Sequence, residues 1–193
     1  MSDFYPRIGK RLLDVLLALA ITVPAALVCL VCVCVIRLES DGPAVFRQVR
    51  VGRGRRHFIL YKLRTMAKDT GNLPSHEVSK VSITRFGAVL RKTKLDELPQ
   101  LLNVLRGDMS FVGPRPCLPS QQLLVAEREK RGVYAVRPGI TGPAQIAGID
   151  MSTPVELAEA DSHYLAAISL AADMGFLLKT AVGSGRGDAV TRA

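Results

Sequence analysis

Residues 85–116, RFGAVLRKTKLDELPQLLNVLRGDMSFVGPRP, decide how the rest of the chain is read. Two adjacent carboxylates, Asp96-Glu97, follow a basic cluster (Arg91, Lys92, Lys94) and precede the turn Gly113-Pro114-Arg115-Pro116. Apolar residues at Ile83, Phe86, Val89 and Leu90 have the spacing of a short amphipathic helix over 83–92. Asp96 then falls at an N-cap position, with Pro99 in the first turn and Leu98, Leu101, Leu102 and Leu105 forming an apolar stripe. A helix start carries free N–H groups and a partial positive charge, so phosphate arriving beside Asp96 is favoured there. Ordinary capping explains the same two acids. Their surroundings widen the choice. Prolines on both sides of Arg115 fix the backbone that presents its guanidinium, a group suited to bidentate contact with phosphate.

Upstream of this stretch, Ser40-Asp41-Gly42-Pro43 is a turn, and Ala44–Val51 and His57–Leu63 read as strands of a hairpin around Gly52-Arg53-Gly54. That GxG is better explained by a basic hairpin turn than by a phosphate loop, because no strand-to-helix fingerprint surrounds it. Lys62 and Arg64 lie two apart and so share one face of an extended strand, as phosphate contacts or as a solvated edge. Residues 67–82 are polar and read as a mobile loop. Downstream, Val136–Pro143 is a second rigid element that presents Arg137 beside Pro138 and Gly139, and helices are expected over 120–131, 154–167 and 169–182. The last of these suits either internal packing or the membrane surface. Asp150, Asp161, His163 and Asp173 are polar points in this part with no catalytic pattern around them.

From Leu12 to Ile36 the chain is almost continuously apolar. A helix of this length reaches about 37 Å, enough to cross a hydrocarbon layer about 30 Å thick. Two features favour re-entry over crossing. Pro24 removes a backbone hydrogen bond near the middle. Both flanks are cationic: Arg7, Lys10 and Arg11 before, Arg37, Arg47, Arg50, Arg53, Arg55 and Arg56 after, whereas a spanning helix has one strongly basic end. Asp14, three residues after Arg11, is placed to pair with it near the interface.

The chain of 193 residues has room for one compact domain. Its formal charge of +9 is uneven. Through Arg115 there are 19 Lys and Arg against 9 Asp and Glu; the remainder has 7 against 8. This basic part suits anionic phospholipids or nucleotide phosphates. Nucleic acid is a poor partner, since aromatics are only 5% and no stacking platform or zinc finger is legible. Cys29, Cys32, Cys34 and Cys117 read as small hydrophobes, not as a disulfide framework or zinc site.

KRLLDVLLA, GPAVFRQVRVG, FILYKLRTM, the 85–116 stretch and VRPGITGPAQIAG together resemble the small monotopic phosphoglycosyl transferases, the bacterial sugar transferases. The resemblance runs in order from Lys10 to about residue 148 and more weakly to Thr180. It implies a re-entrant helix-break-helix anchor involving Arg11, Asp14 and Pro24, and transfer of a sugar-1-phosphate from a UDP-sugar to a polyprenol phosphate such as undecaprenyl phosphate, releasing UMP. It also implies that Asp96 is the nucleophile, that Glu97 helps hold Mg²⁺ or moves protons, and that Arg115 binds phosphate. Lys62, Arg64, Arg91 and Arg137 become further cationic contributors to substrate binding. The chain departs from the family pattern at Val23, where Ser is usual before the proline, at Pro143, where Trp is usual, and in ADSHYLAAISLAADMG, which lacks the usual aromatics.

The expected fold is therefore α+β and mainly helical: a re-entrant anchor over 1–37, a catalytic domain over 38–185 with a small β-hairpin and amphipathic helices at the membrane interface, and a flexible tail over 186–193. The expected location is the bacterial cytoplasmic (inner) membrane with the catalytic domain on the cytoplasmic side, in an arrangement compatible with a homodimer. Two other readings use the same residues: a Mg²⁺-dependent membrane phosphodiesterase, and a basic scaffold in which Asp96-Glu97 only cap a helix.

Overall fold

In the computed structural model, residues 4–67 and 83–183 are described. Residues 68–82, nearly all of the expected loop, and the tail 186–193 lie outside them. A π-helical turn, Tyr5–Gly9, leads into α1 (Lys10–Glu39). This is one helix with Pro24 inside it, where the resemblance implied helix-break-helix. A proline removes a single i→i−4 bond, which bends a helix without having to end it. At about 1.5 Å per residue α1 is roughly 45 Å long.

The helix is buried along one narrow stripe: Asp14, Ala18, Ala25, Cys32 and Ile36. Intervals of four and seven residues keep these within about 40° of arc at 3.6 residues per turn. Leu12, Leu16, Leu19, Val23, Leu27 and Leu30 lie on the other side and are exposed. Both ends of the stripe pack on the remainder of the folded chain. Ala18 and Ala25 join a core with Leu60, Leu101, Val104 and Met109, while Cys32 and Ile36 join Ala44, Leu63 and Leu90.

Arg11 and Asp14 do not pair with each other as the spacing suggested. Arg11 donates to the carbonyls of Val104 (2.6 Å) and Leu105 (3.0 Å), and Asp14 accepts from Ser110 Oγ and Phe111 N, both at 3.0 Å. Unpaired carbonyls at a helix end and a buried carboxylate each gain more from these backbone partners than from a mutual surface pair.

The hairpin forms as its alternation and GRG turn demand. β1 (Val45–Val51) pairs antiparallel with β2 (His57–Leu63) in the register Val45↔Leu63 to Val51↔His57. α2 (Arg85–Thr93) starts at Thr84, whose hydroxyl accepts from Gly87 N, and stops at Lys94 in the left-handed conformation (φ 59°). A 3₁₀ turn, Leu95–Gln100, leads directly into α3 (Leu101–Arg106). β3 (Ser110–Val112) follows, then α4 (Gln122–Lys130). β4 (Gly139–Thr141) pairs with β3 in parallel, Ser110↔Gly139 and Val112↔Thr141. α5 (Pro143–Ala147), α6 (Pro154–Ala166) and α7 (Leu170–Ala181) complete the chain.

The two Pro-Gly motifs legible in the sequence are thus two halves of one construction. Gly139 N donates to Pro114 O and Gly113 N to Thr141 O, each at 2.9 Å. A Cβ on Gly139 would sit 2.1 Å from Gly113 N, so only glycine permits this backbone approach. α7 is tied to the start of α1: buried Asp173 accepts from Lys10 Nζ (2.5 Å), Tyr164 OH (2.6 Å) and Tyr5 OH (2.7 Å). Burial and the adjacent Asp173 carboxylate both push the Tyr164 hydroxyl pKa up. The outer side of α7 leaves Leu170, Met174 and Leu178 exposed at i, i+4 and i+8.

Candidate active site

Asp96 is not an N-cap. Lys94 turns the chain and Leu95 opens the 3₁₀ segment, so Asp96 and Glu97 lie inside its first turn and Asp96 is buried. Strand β2 packs across this turn. Its Lys62 lies with Nζ 3.2 Å from Glu97 Oε1, and Arg115 Nη2 reaches the same oxygen at 3.4 Å. Residues 62, 97 and 115, distant in sequence, meet on one carboxylate beside the buried Asp96.

Asn103, fully buried in α3, sets this meeting. Its Nδ2 donates to Ile59 O at 2.7 Å and its Oδ1 accepts from Tyr61 N at 3.2 Å, so one side-chain amide pairs with β2 as another strand would. The pairing fixes how far Lys62 advances along the Asp96 turn. Sequence reasoning passed over Asn103 because an Asn in a leucine-rich helix carries no local sign of a strand partner.

Pro114 and Pro116 have no N–H to donate, and this side of the Arg115 turn is held through its carbonyls. Arg128 Nη1 donates to Arg115 O (2.8 Å), Arg50 Nη1 to Pro116 O (2.9 Å) and Val51 N to Cys117 O (3.0 Å). Arg128 is in turn gripped by Asp161 Oδ2, at 2.9 Å from Nε and 2.6 Å from Nη2, in a pair buried on both sides. Burial raises the Asp161 carboxyl pKa against the opposing pull of Arg128.

The other expected cations take different places. Arg64 is occupied at the end of α1, donating to Ser40 O, Asp41 O and Ser40 Oγ at 2.7–2.9 Å. Arg91 donates from Nε to Thr65 Oγ1 at 2.9 Å, and its buried Nη1 has no partner among the described residues. Arg137 donates from Nε to Gly107 O at 2.8 Å and lies in a separate cleft. Burial, then Arg11 and Arg53 nearby, lowers the Arg137 pKa from the usual arginine value.

No cluster of three or more His, Cys, Asp or Glu suited to a metal occurs among the described residues. The carboxylates of Asp96 and Glu97 are oxygen donors of the type Mg²⁺ takes, one or two carboxylates with phosphate oxygens and water completing the shell.

The sequence profile of the family described as bacterial sugar transferase matches residues 5–186. The chain belongs to the bacterial sugar transferase family. It is a phosphoglycosyl transferase by that membership. This sugar transferase is 43% identical over 180 residues to the UDP-glucose:undecaprenyl-phosphate glucose-1-phosphate transferase of Caulobacter vibrioides, covering 89% of this chain and 67% of the relative. It is 39% identical to the uncharacterized sugar transferase EpsL of Bacillus subtilis, over 89% of this chain and 84% of the relative. A UDP-N-acetylgalactosamine-undecaprenyl-phosphate N-acetylgalactosaminephosphotransferase of Aeromonas hydrophila is 36% identical over 89% of this chain, which spans 42% of that longer protein. Among the described residues one helical segment, Tyr5–Glu39, is long and apolar enough to cross a membrane; with the family membership it suggests a membrane location for this sugar transferase.

Proposed function

We propose that this sugar transferase moves a sugar-1-phosphate from a UDP-sugar to undecaprenyl phosphate at the cytoplasmic face of the membrane, through a covalent intermediate on Asp96. The observation that carries the reading is the convergence of Lys62 and Arg115 on Glu97 beside the buried Asp96. A carboxylate surrounded by cations that themselves arrive from rigid elements is suited to meeting a diphosphate.

In the first step an Asp96 carboxylate oxygen attacks the sugar-bearing phosphorus. The bond from that phosphorus to the bridging oxygen breaks, and UMP leaves with the electron pair. In the second step an oxygen of the polyprenol phosphate attacks the same phosphorus, the bond from that phosphorus to the Asp96 oxygen breaks and the carboxylate is regenerated. Two displacements replace one difficult one. Lys62 and Arg115 neutralise charge on the transferred phosphoryl group, and Arg115 is steadied by the Arg128–Asp161 pair beneath its backbone. Glu97 takes up the proton of an acceptor that arrives protonated. Mg²⁺ bound by Asp96 and Glu97 would supply further neutralisation of the diphosphate.

The anchor is proposed to enter and leave on one side. Support comes from the packing of both ends of α1 on the same folded remainder of the chain and from cationic residues at both flanks, which suit anionic phospholipids. Tags at residues 1 and 193 both reporting from the cytoplasm would agree; one on each side would not.

The test of function is turnover. A panel of UDP-sugars is incubated with the protein, Mg²⁺ and undecaprenyl phosphate, and UMP is followed. UMP that depends on the acceptor supports transfer. Sustained UMP release with water alone supports the phosphodiesterase reading, and no UMP from any donor rejects both.

A further inference from the structure

At the turn end of the β1–β2 hairpin lies a cleft of about 550 Å³ whose lining includes Arg53, Arg56, His57, Phe58, Asp108 and Arg137. We infer that this cleft is the cradle for the nucleoside half of the donor, a uridine nucleotide held one nucleotide's length from Asp96. The inference rests on the sugar-phosphate transfer proposed above and assigns it a second half-site.

Two chain segments run from the cleft to the Asp96 region. Phe58, Leu60 and Lys62 alternate onto one face of β2. Phe58 lines the cleft, and Leu60 and Lys62 line the small pocket that Arg115 also bounds. Four residue steps along the strand lead from Phe58 to Lys62, about 13 Å. Arg137 and Gly139 repeat the relationship, the first in the cleft and the second in the small pocket. With the sugar-bearing phosphate at Lys62 and Arg115, an extended nucleoside diphosphate directed along this face of β2 brings its base and ribose to the cleft.

The lining chemistry suits a nucleoside better than a bare phosphate. The volume falls in the range of small-molecule sites and far exceeds what one phosphate needs. Asp108 places a carboxylate among the cations. It would repel a second phosphate but accepts from ribose hydroxyls or a base N–H, and Asn103 Nδ2 holds one of its oxygens at 3.3 Å. The Phe58 ring lies against Gly52, where an added Cβ would be only 3.0 Å from the ring, giving an apolar floor for a flat base. Arg137 is braced through Nε by Gly107 O, and its terminal nitrogens have no partner among the described residues. Burial first, and then Arg11 and Arg53 nearby, lower its pKa, and an anion placed among these three cations would relieve their mutual repulsion. The Gly52-Arg53-Gly54 turn, explained from sequence as a plain hairpin turn, thereby gains a ligand.

The test is direct binding of UMP to the full chain in nanodiscs, by calorimetry, for wild type and Arg53→Gln/Arg56→Gln. Both arginines are exposed, so the double variant keeps the fold, which its melting temperature checks. The expected result is a UMP Kd raised at least tenfold, with the donor KM rising in parallel. A Kd and KM equal to wild type overturn the cradle. Loss of binding to phosphatidylglycerol vesicles with an unchanged UMP Kd also overturns it, because the cleft then serves a lipid headgroup. UMP binding that is lost in the variant, from a wild-type chain that turns over no UDP-sugar, sustains the cradle and sinks the transfer reaction instead.

Discussion

Arg128 donates from Nη1 to the backbone carbonyl of Arg115 at 2.8 Å, and so links a fully buried ion pair to the turn that presents a phosphate-facing guanidinium. Asp161 holds Arg128 through one oxygen while its other oxygen is buried without a hydrogen bond among the described residues. An incompletely satisfied buried pair contributes little net stability, yet removing one member strands the other.

Arg128→Met alone and Asp161→Leu alone are therefore expected to lose about 3–5 kcal/mol, seen as a large fall in melting temperature. The double variant should recover most of that stability, since two apolar side chains replace the pair. Its kcat should stay at least about tenfold down, because nothing then holds the Arg115 carbonyl. Recovery of both stability and rate in the double variant would remove the positioning role.

Asn103→Ala deletes both side-chain bonds to β2 and is expected to cost about 2 kcal/mol. The loss should extend to kcat/KM measured well below the melting temperature, since Lys62 is no longer registered against Glu97. Normal kinetics in a merely less stable protein would show that the hairpin keeps its register without Asn103.

Gly139→Ala forces a Cβ to within 2.1 Å of Gly113 N. Folded, membrane-associated protein should be nearly absent, scored by yield and gel filtration in detergent. A well-folded Gly139→Ala protein would mean that the two turns separate easily.

Arg64→Met separates two readings of one arginine. Its guanidinium joins β2 to the carbonyls that follow α1. Stability is expected to fall by several degrees in melting temperature while the donor KM holds. A raised KM without loss of stability would return Arg64 to the substrate.

Local patterns carried much of this architecture. Alternation around Gly52-Arg53-Gly54 specified the hairpin, and the apolar spacing from Phe86 to Leu90 specified α2, because both signals are confined to neighbouring residues. The three-residue parallel pairing of β3 with β4 was not legible, since so short a ladder depends on partners 29 residues apart and on glycine contacts. Asp96 was misplaced as a cap because Lys94 adopts a left-handed conformation that glycine or asparagine would have signalled.

The site divides in the same way. Asp96, Glu97 and Arg115 stand out as carboxylates and a braced arginine within one stretch, and Glu97 and Arg115 do meet. Lys62 and Arg64 share a strand face in sequence, but only Lys62 reaches Glu97, since Arg64 is drawn to the carbonyls after α1. Arg128, Asp161 and Asp173 could not be assigned from spacing: their partners lie on other helices, and burial alone gives them meaning.

The most direct test is the mass of the protein after brief exposure to its UDP-sugar in the absence of acceptor. Wild type should gain one sugar-phosphate, mapped to the peptide containing Asp96 and discharged by undecaprenyl phosphate. Asp96→Asn, folded and membrane-bound, should gain none and lose at least about 10³-fold in turnover. Full turnover by Asp96→Asn, or an adduct mapped to another residue, would contradict Asp96 as the nucleophile.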